Sequence, residues 1–497
     1  MQIYDTMKHK KVEFVPREAG KVAMYVCGPT VYNKIHIGNA RTFISFDMIR
    51  KYMEYKGWQV TFVQNLTDVD DKIIATANES SVEASNIAEK YSKIFIDDMH
   101  KSKVKDPTIR PRATEEIPEM IELIDTLINN GNAYVQDGDV YFSVKSDKEY
   151  GKLSGRDVEE AESGHRELRS DGLGLEDRKR DEADFALWKA AKPGEPAWDS
   201  PWGKGRPGWH TECAAMSRKY LGLPFDIHGG GADLVFPHHE NEIAQAECAW
   251  HKGFANYWMH SGMLRVNNEK MSKSLGNFLM LDDILKNTDI NVLRLLMMQT
   301  HYRSSLDFSD TRLKEAETSY NRIKNALDNV EWLCKNAGDT DNTFDITEIK
   351  TSFDKTESSF IQNMDDDFNA PAALGDIFSF IGELNTKLSN AELDRPAADE
   401  LLAIANKIKE LLKIFEIHFD NNDSSQSCVP DTLLELAKSL AGNNELTENN
   451  AFDVLLEIRQ NARANKDWAT ADKIRDAFSD AGLMIEDTPQ GAKITTK

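Results

Sequence analysis

Residues 21–67 constrain the fold of this chain more tightly than any other stretch. "KVAMYVCGPTVY" (21–32) opens with a short apolar, partly β-branched run that breaks at Cys27-Gly28-Pro29, the pattern of a buried strand and its terminating turn. A helix is expected next, because "NARTFISFDMIRKYMEYK" (39–56) sets Phe43, Phe46, Ile49 and Met53 at helical spacing and Gly57 supplies the stop. "WQVTFVQNLTD" then reads as a second strand. Strand, helix and strand in this span make a β-α-β unit, and the right-handed crossover rule makes its strands parallel. The chain is therefore expected to begin as an α/β fold of the nucleotide-binding type.

Composition sets wider bounds. At 497 residues and 40% hydrophobic, the chain is long enough for three or four domains with sizeable cores. No apolar stretch reaches the roughly 18 to 20 residues of a membrane span, and "MQIYDTMKHKKVEF" lacks the apolar run of a signal peptide, so a soluble, cytoplasmic protein is expected. Five cysteines, an odd number thinly spread, fit no disulfide framework and point to metal ligation or nucleophilic chemistry instead. A net charge of −23 argues against general nucleic-acid binding but permits a local basic face.

Further along, residues 113–205 loosen into a helix, a hairpin-like "AYVQDGDVYFSV" with Asp137-Gly138 as its turn, and a charged stretch from 156 to 184, together read as an insertion. Alternating character returns with "PFDIHGGGADLVFPHHENE" and "YWMHSGMLRVN"; from about 309 the chain is largely helical and acidic, and "HFDNNDSSQSCVPDT" (418–432) is polar enough for a linker.

Three motifs carry chemistry. In "FPHHENEIAQAE" (236–247), Pro237 suits a first helical turn, and His238 and Glu242, four apart, lie about 40° from each other on one face. An imidazole and a carboxylate make half a zinc site. Cys27 and Cys213 could supply the missing thiolates, Cys248 lies off this face, and His239 with Glu242 would serve almost as well. "KMSKSLGN" (270–277) offers Lys270 and Lys273 as point charges for a polyphosphate. "HIGN" (36–39) places His36 and Asn39 at a helix N-terminus, where phosphate oxygens are favoured.

Together with "GWHTECAAM", "HYRSSLDFS", "ARANKDWATADKIRDAF" and "IEDTPQG", these motifs resemble those of the cysteinyl-tRNA synthetase family of class I aminoacyl-tRNA synthetases over essentially the whole chain. The resemblance implies a Rossmann-like catalytic domain in two halves (1–112 and 206–265) around a connective insertion (113–205). A KMSKS and stem-contact region (266–308), a helical anticodon-binding bundle (309–417), the linker (418–432) and a small C-terminal α+β anticodon-recognition domain (433–497) follow. The insertion is shorter than an editing domain with its connections usually requires.

The resemblance further implies one zinc ion on Cys27, Cys213, His238 and Glu242, with Glu242 labile or the metal expanding to five-coordinate, which selects the cysteine thiolate over serine. It implies a cysteine pocket of Gly28, Thr30, Thr67 and Trp209, with His210 beside it. Adenosine contacts fall to Gly229, Gly230 and Asp233, and catalysis to His36, Asn39, Lys270 and Lys273, with Mg²⁺ on ATP. Asn39 departs from the family's usual second histidine. Arg463, Trp468, Asp472, Arg475 and Asp487 are the implied anticodon contacts, and the partners are L-cysteine, ATP and tRNA(Cys), with a monomer expected. Two rivals are a cysteine ligase of the mycothiol pathway and a non-catalytic tRNA-binding paralogue.

Overall fold

The computed structural model describes residues 1–156, 179–271, 277–338, 344–419, 429–443, 445–488 and 491–496. Lys273, most of the charged stretch in the insertion and most of the 418–432 linker lie outside the described residues.

The expected β-α-β unit is present as β1 (Lys21–Val26), α1 (Ile37–Tyr55) and β2 (Gln59–Val63), with β1 and β2 parallel in the register Val22↔Val60 and Met24↔Phe62. Phe43, Phe46, Ile49 and Met53 are all buried, Phe46 against Gly229 of the sheet and Phe43 against Phe95 of the helix Ala84–Lys101. Gly57 follows α1 at φ 87°, the left-handed conformation that ends helices at low steric cost. After α2 (Thr211–Leu221) come β3 (Phe225–Gly231), α3 (Glu240–Trp250) and β4 (Ala255–Ser261), which complete a parallel sheet of order β4-β3-β1-β2. Because β1 has β2 on one side and β3 on the other, the winding reverses between β1 and β3. The carboxyl ends of strands at such a reversal open into a crevice. Cys27 immediately follows β1, and Gly231 ends β3.

The region 113–205 contains the helix Ile117–Asn129 and an antiparallel sheet of Ala133–Gln136, Asp139–Phe142, Phe185–Ala190 and Gly205–Pro207, in that order. Asp137 (φ 52°) and Gly138 (φ 86°) form the hairpin turn expected of that dipeptide. The last two strands were illegible in the sequence. Phe185, Leu187 and Trp188 are buried against the same core as Phe142 and Ile124, but their short run shows too little alternation to announce a strand.

Two compact units are distinguished. One comprises Met1–Glu317 with Ser359–Leu374 and Ile414–Glu416; the other comprises Thr318–Ser358, Gly375–Lys413 and Ile417–Lys497. The expected helical region appears as Asp310–Lys335, Thr347–Asp365, Ala370–Lys387 and Arg395–Lys413. At the C-terminus, Leu433, Leu455, Ile474 and Phe478 form a small core. It joins the helix Asp431–Ala441, α4 (Glu448–Ala464) and α5 (Trp468–Asp480) with the antiparallel hairpin of β5 (Leu483–Thr488) and β6 (Gly491–Thr496). Among the described residues no helix is long and apolar enough to cross a membrane. Cys27, Cys213, Cys248 and Cys334 are free thiols.

Candidate active site

Four side chains from separated stretches converge where the crevice closes. Cys27 comes from the end of β1, Cys213 from the first turns of α2, His238 from the turn Val235–His239 and Glu242 from the start of α3. Their ligand atoms all lie within 4.8 Å of one another. Cys27 Sγ is 3.6 Å from Cys213 Sγ and 3.5 Å from Glu242 Oε1, and His238 Nε2 is 2.9 Å from the same oxygen. None is more than 4% exposed.

Burial alone would raise the Cys213 thiol, but hydrogen bonding with Cys27 and His238 brings it down to about 6. Burial would likewise lower His238, yet Glu242 and Cys213 lift it to about 10. Glu242, despite its burial, is held well below the carboxylate range by His228 and His238, whereas burial and Cys213 push Cys27 well up. The cluster thus holds two anionic donors, the Cys213 thiolate and the Glu242 carboxylate, in a dry setting. Two thiols, an imidazole and a carboxylate fit a borderline-soft divalent ion.

A second grouping, Cys27, His228, His239 and Glu242, is equally compact. Here His239 Nε2 is 3.3 Å from Cys27 Sγ, its Nδ1 is 2.8 Å from His260 Nε2, and His228 Nε2 is 2.6 Å from Glu242 Oε2. Access separates the two. Cys27, Cys213 and His238 line a cavity of about 380 Å³, while His228 and His239 do not. An ion held by the first set can meet a ligand from the cavity; one held by the second sits behind it. His228 and His260 were not assigned from sequence, their only signal being an imidazole within each of two buried strands.

The expected cysteine pocket, Gly28, Thr30, Thr67 and Trp209, lines the same cavity. A Cβ on Gly28 would stand 1.7 Å from the Asn65 carbonyl oxygen, so only glycine fits there. Gly28 N–H donates to Asn65 Oδ1 (2.8 Å), Asn65 Nδ2 to Thr67 Oγ1 (3.2 Å), and the Thr67 hydroxyl to Glu212 Oε2 (2.5 Å). This chain ties the ends of β1 and β2 to α2. Asn65, unassigned from sequence, stands at its centre. Trp209 stacks on the His238 ring at 4.4 Å, and His210 Nδ1 lies 3.0 Å from His238 Nδ1, so both brace the imidazole.

The same cavity is also lined by His36, Asn39, Thr42, Gly231, Asp233 and Phe278. His36 caps α1 and Asn39 closes the cap from within. Residues following the KMSKS motif are stitched to this corner. Ile37 N–H donates to Leu279 O (3.0 Å), Leu281 N–H donates to Ile35 O (3.1 Å), and Phe278 meets the His36 ring edge-on at 4.8 Å. Asp233 lines the cavity as expected, but Gly229 and Gly230 do not. Their missing side chains make room for Phe46 and His239, and of the three consecutive glycines it is Gly231 that reaches the cavity. Lys270 ends the short strand Glu269–Lys270, exposed and off the cavity wall.

In the C-terminal region, Arg463 contacts Asp487, and Arg475 lies 3.1 Å from Asp472. Trp468 is 58% exposed, an unusual position for so large an apolar ring. Arg463 and Asp487 line a cavity of about 420 Å³ with Arg459, whereas Trp468, Asp472 and Arg475 lie outside its wall.

Known proteins resemble this chain throughout. Residues 13–318 match the family of class I (C) tRNA synthetase catalytic domains, 359–419 the DALR domain, and 449–494 the cysteinyl-tRNA ligase anticodon binding domain. In structure, the chain is similar to Mycobacterium tuberculosis methionyl-tRNA synthetase in complex with methionyl-adenylate (TM-score 0.60, 16% identity, 80% of this chain and 90% of that one). It is also similar to the Agrobacterium radiobacter K84 LeuRS in a ternary complex with tRNA and LeuAMS (TM-score 0.57, 10% identity, 82% and 87%). The parallel sheet, its crevice and these matches define a class I aminoacyl-tRNA synthetase. Curated relatives narrow the class: the cysteine–tRNA ligases of Pelotomaculum thermopropionicum (99% of each chain) and Fusobacterium nucleatum (98% of each) are both 45% identical to it. The chain belongs to the cysteine–tRNA ligase family.

Proposed function

We propose that the ligase reaction of the family takes place in the cavity between Cys27 and Asn39, with one zinc ion held by Cys27, Cys213, His238 and Glu242. L-Cysteine is activated with ATP and passed to tRNA(Cys). The observation that carries this is that the sulfur-bearing cluster and the N-terminus of α1 line one cavity, so a thiol at one end and phosphates at the other can be held together. When bound, zinc supplies a soft Lewis acid that takes a thiolate in preference to the hydroxyl of serine, which remains protonated.

The protein's own groups supply position and charge. Gly28, Thr30, Thr67 and Trp209, braced by Asn65 and His238, orient the amino acid. Its carboxylate is already ionised and needs no general base to attack the α-phosphorus, with pyrophosphate departing. The N-terminus of α1, His36, Asn39 and the lysines Lys270 and Lys273 counter the charge that develops on the phosphates, with Mg²⁺ on the leaving group. Asp233 and the adjoining Gly231 take the nucleoside, while Gly229 and Gly230 make room for Phe46 and His239 behind them. A hydroxyl of the tRNA's terminal adenosine then attacks the carbonyl carbon of the adenylate, forming the ester as the acyl–phosphate bond breaks, AMP departs and the hydroxyl proton is lost to solvent.

Arg463, Trp468, Asp472, Arg475 and Asp487 read the anticodon, and the protein works as a cytoplasmic monomer. The match of 449–494 to an anticodon binding domain favours this over transfer to an amino sugar, and the His36 cap at the cavity favours catalysis over a binding-only paralogue. Cobalt substitution tests the central step: titration with cysteine should produce a new sulfur-to-metal charge-transfer band, and serine should not. Absence of the band at saturating cysteine would overturn the assignment.

A further inference from the structure

The C-terminal cavity is lined by two arginines of unequal exposure. Arg459 and Arg463 lie one turn apart on α4, but Arg459 is 7% exposed while the Arg463 side chain is 42% exposed. Both meet one carboxylate. Arg459 Nη1 and Nη2 reach Asp487 Oδ1 and Oδ2 at 2.6 and 3.0 Å, a two-point fork, and Arg463 Nη1 contacts Oδ2 alone. Arg459 Nε is buried with no hydrogen-bond partner among the described residues. Asp453 and Glu457 line the same cavity, so without Arg459 its wall would be strongly acidic.

A bidentate guanidinium fixes the plane of a carboxylate as a single-point contact cannot, and a buried guanidinium is costly to leave unpaired. The inner arginine is thus committed to Asp487, whereas the outer one can exchange partners with solvent or ligand. We propose that Arg459 is a positioning residue for tRNA recognition: it holds Asp487 in a fixed plane and keeps it paired, so that Arg463 can leave the carboxylate for a nucleotide of the bound tRNA. This rests on reading the region as the anticodon site. Without the inner arginine, the exchange would leave a bare carboxylate facing the negatively charged RNA backbone. Consistent with the geometry, the hydrogen bonds from Arg459 and then Arg463 hold the Asp487 carboxyl down at about 2.

The test uses the full-length, zinc-loaded protein and transcribed tRNA(Cys), with four readouts: KM for tRNA, kcat at saturating tRNA, cysteine-dependent ATP–pyrophosphate exchange and the thermal unfolding midpoint. Arg459→Lys keeps the charge but loses the fork. It should raise KM for tRNA about tenfold and leave the other three unchanged, and combining it with Asp487→Asn should add little to the effect of Asp487→Asn alone. Full additivity would mean that Arg459 meets the RNA directly, and a lowered midpoint that tracks the KM change would mean a structural role; either overturns the proposal. A silent Arg459→Lys beside a damaging Asp487→Asn also overturns it while sparing the anticodon reading. A silent Asp487→Asn would sink the anticodon reading itself.

Discussion

His36 and Asn39 cap each other across the first turn of α1. The Asn39 N–H donates to His36 Nδ1 at 3.2 Å, and the His36 N–H donates to Asn39 Oδ1 at 3.4 Å. Because Nδ1 accepts, a neutral His36 carries its hydrogen on Nε2. Asn39 thus closes a capping box that fixes the ring.

His36→Asn should separate the cap from the chemistry. Asparagine is among the best N-cap residues, so the unfolding free energy should change by less than about 0.5 kcal/mol. Loss of the ring donor should lower ATP–pyrophosphate exchange by roughly 100-fold, the scale of deleting one preorganised donor. Stopped-assay exchange rates and thermal melts check both halves.

Metal content should distinguish the two histidines. His238→Ala removes a ligand from the set that faces the cavity and should leave the purified protein largely without zinc by elemental analysis. His239→Ala removes only a neighbour of Cys27 and should retain most of the ion, with a raised KM for cysteine. The reverse pattern would assign the metal to the inner set.

Asp98 gives a pH dependence of definite sign. It lies buried on the helix Ala84–Lys101, and burial, then the nearby Asp282, raise its carboxyl to about 6. An unfolded aspartate titrates near about 3.9, so between those values the folded chain binds a proton that the unfolded chain does not. Its contribution is therefore most favourable below about pH 4 and declines as pH rises through 6. Denaturant melts from pH 4 to 8 should show Asp98→Asn gaining on the parent protein across that window and holding a constant difference above it.

Trp468 should matter for RNA and little for folding. As its ring is mostly exposed, Trp468→Ala should shift the unfolding midpoint by no more than a degree or two. If a base stacks on it, about 1–3 kcal/mol is lost, which raises KM for tRNA between about fivefold and 150-fold. Cysteine-dependent pyrophosphate exchange should be unaffected.

How far residue order reaches is clearest in particular elements. The β-α-β unit of β1, α1 and β2 was legible because hydrophobic spacing is a local property, and so was the Asp137-Gly138 turn, whereas helical spacing alone did not choose between His238 and His239 as the partner of Glu242. Cys27 and Cys213 were candidates by residue type but joined to this cluster only through resemblance, since they lie 186 residues apart and no local rule connects them.

What the order of residues determined, then, was the kind of chemistry available: soft donors, a capped helix and lysines for phosphate. The tertiary structure decided which of those groups share a cavity. It set His238 at the wall and His239 behind it, put Gly231 on the cavity wall while Gly229 and Gly230 make room for Phe46 and His239, and placed Asn65 at the junction of strands and helix. The physical reason is that a helical or strand period tells which way a side chain points relative to its own element. What it points at depends on the crossing of elements distant in sequence, and here the reversal of winding between β1 and β3 makes that choice.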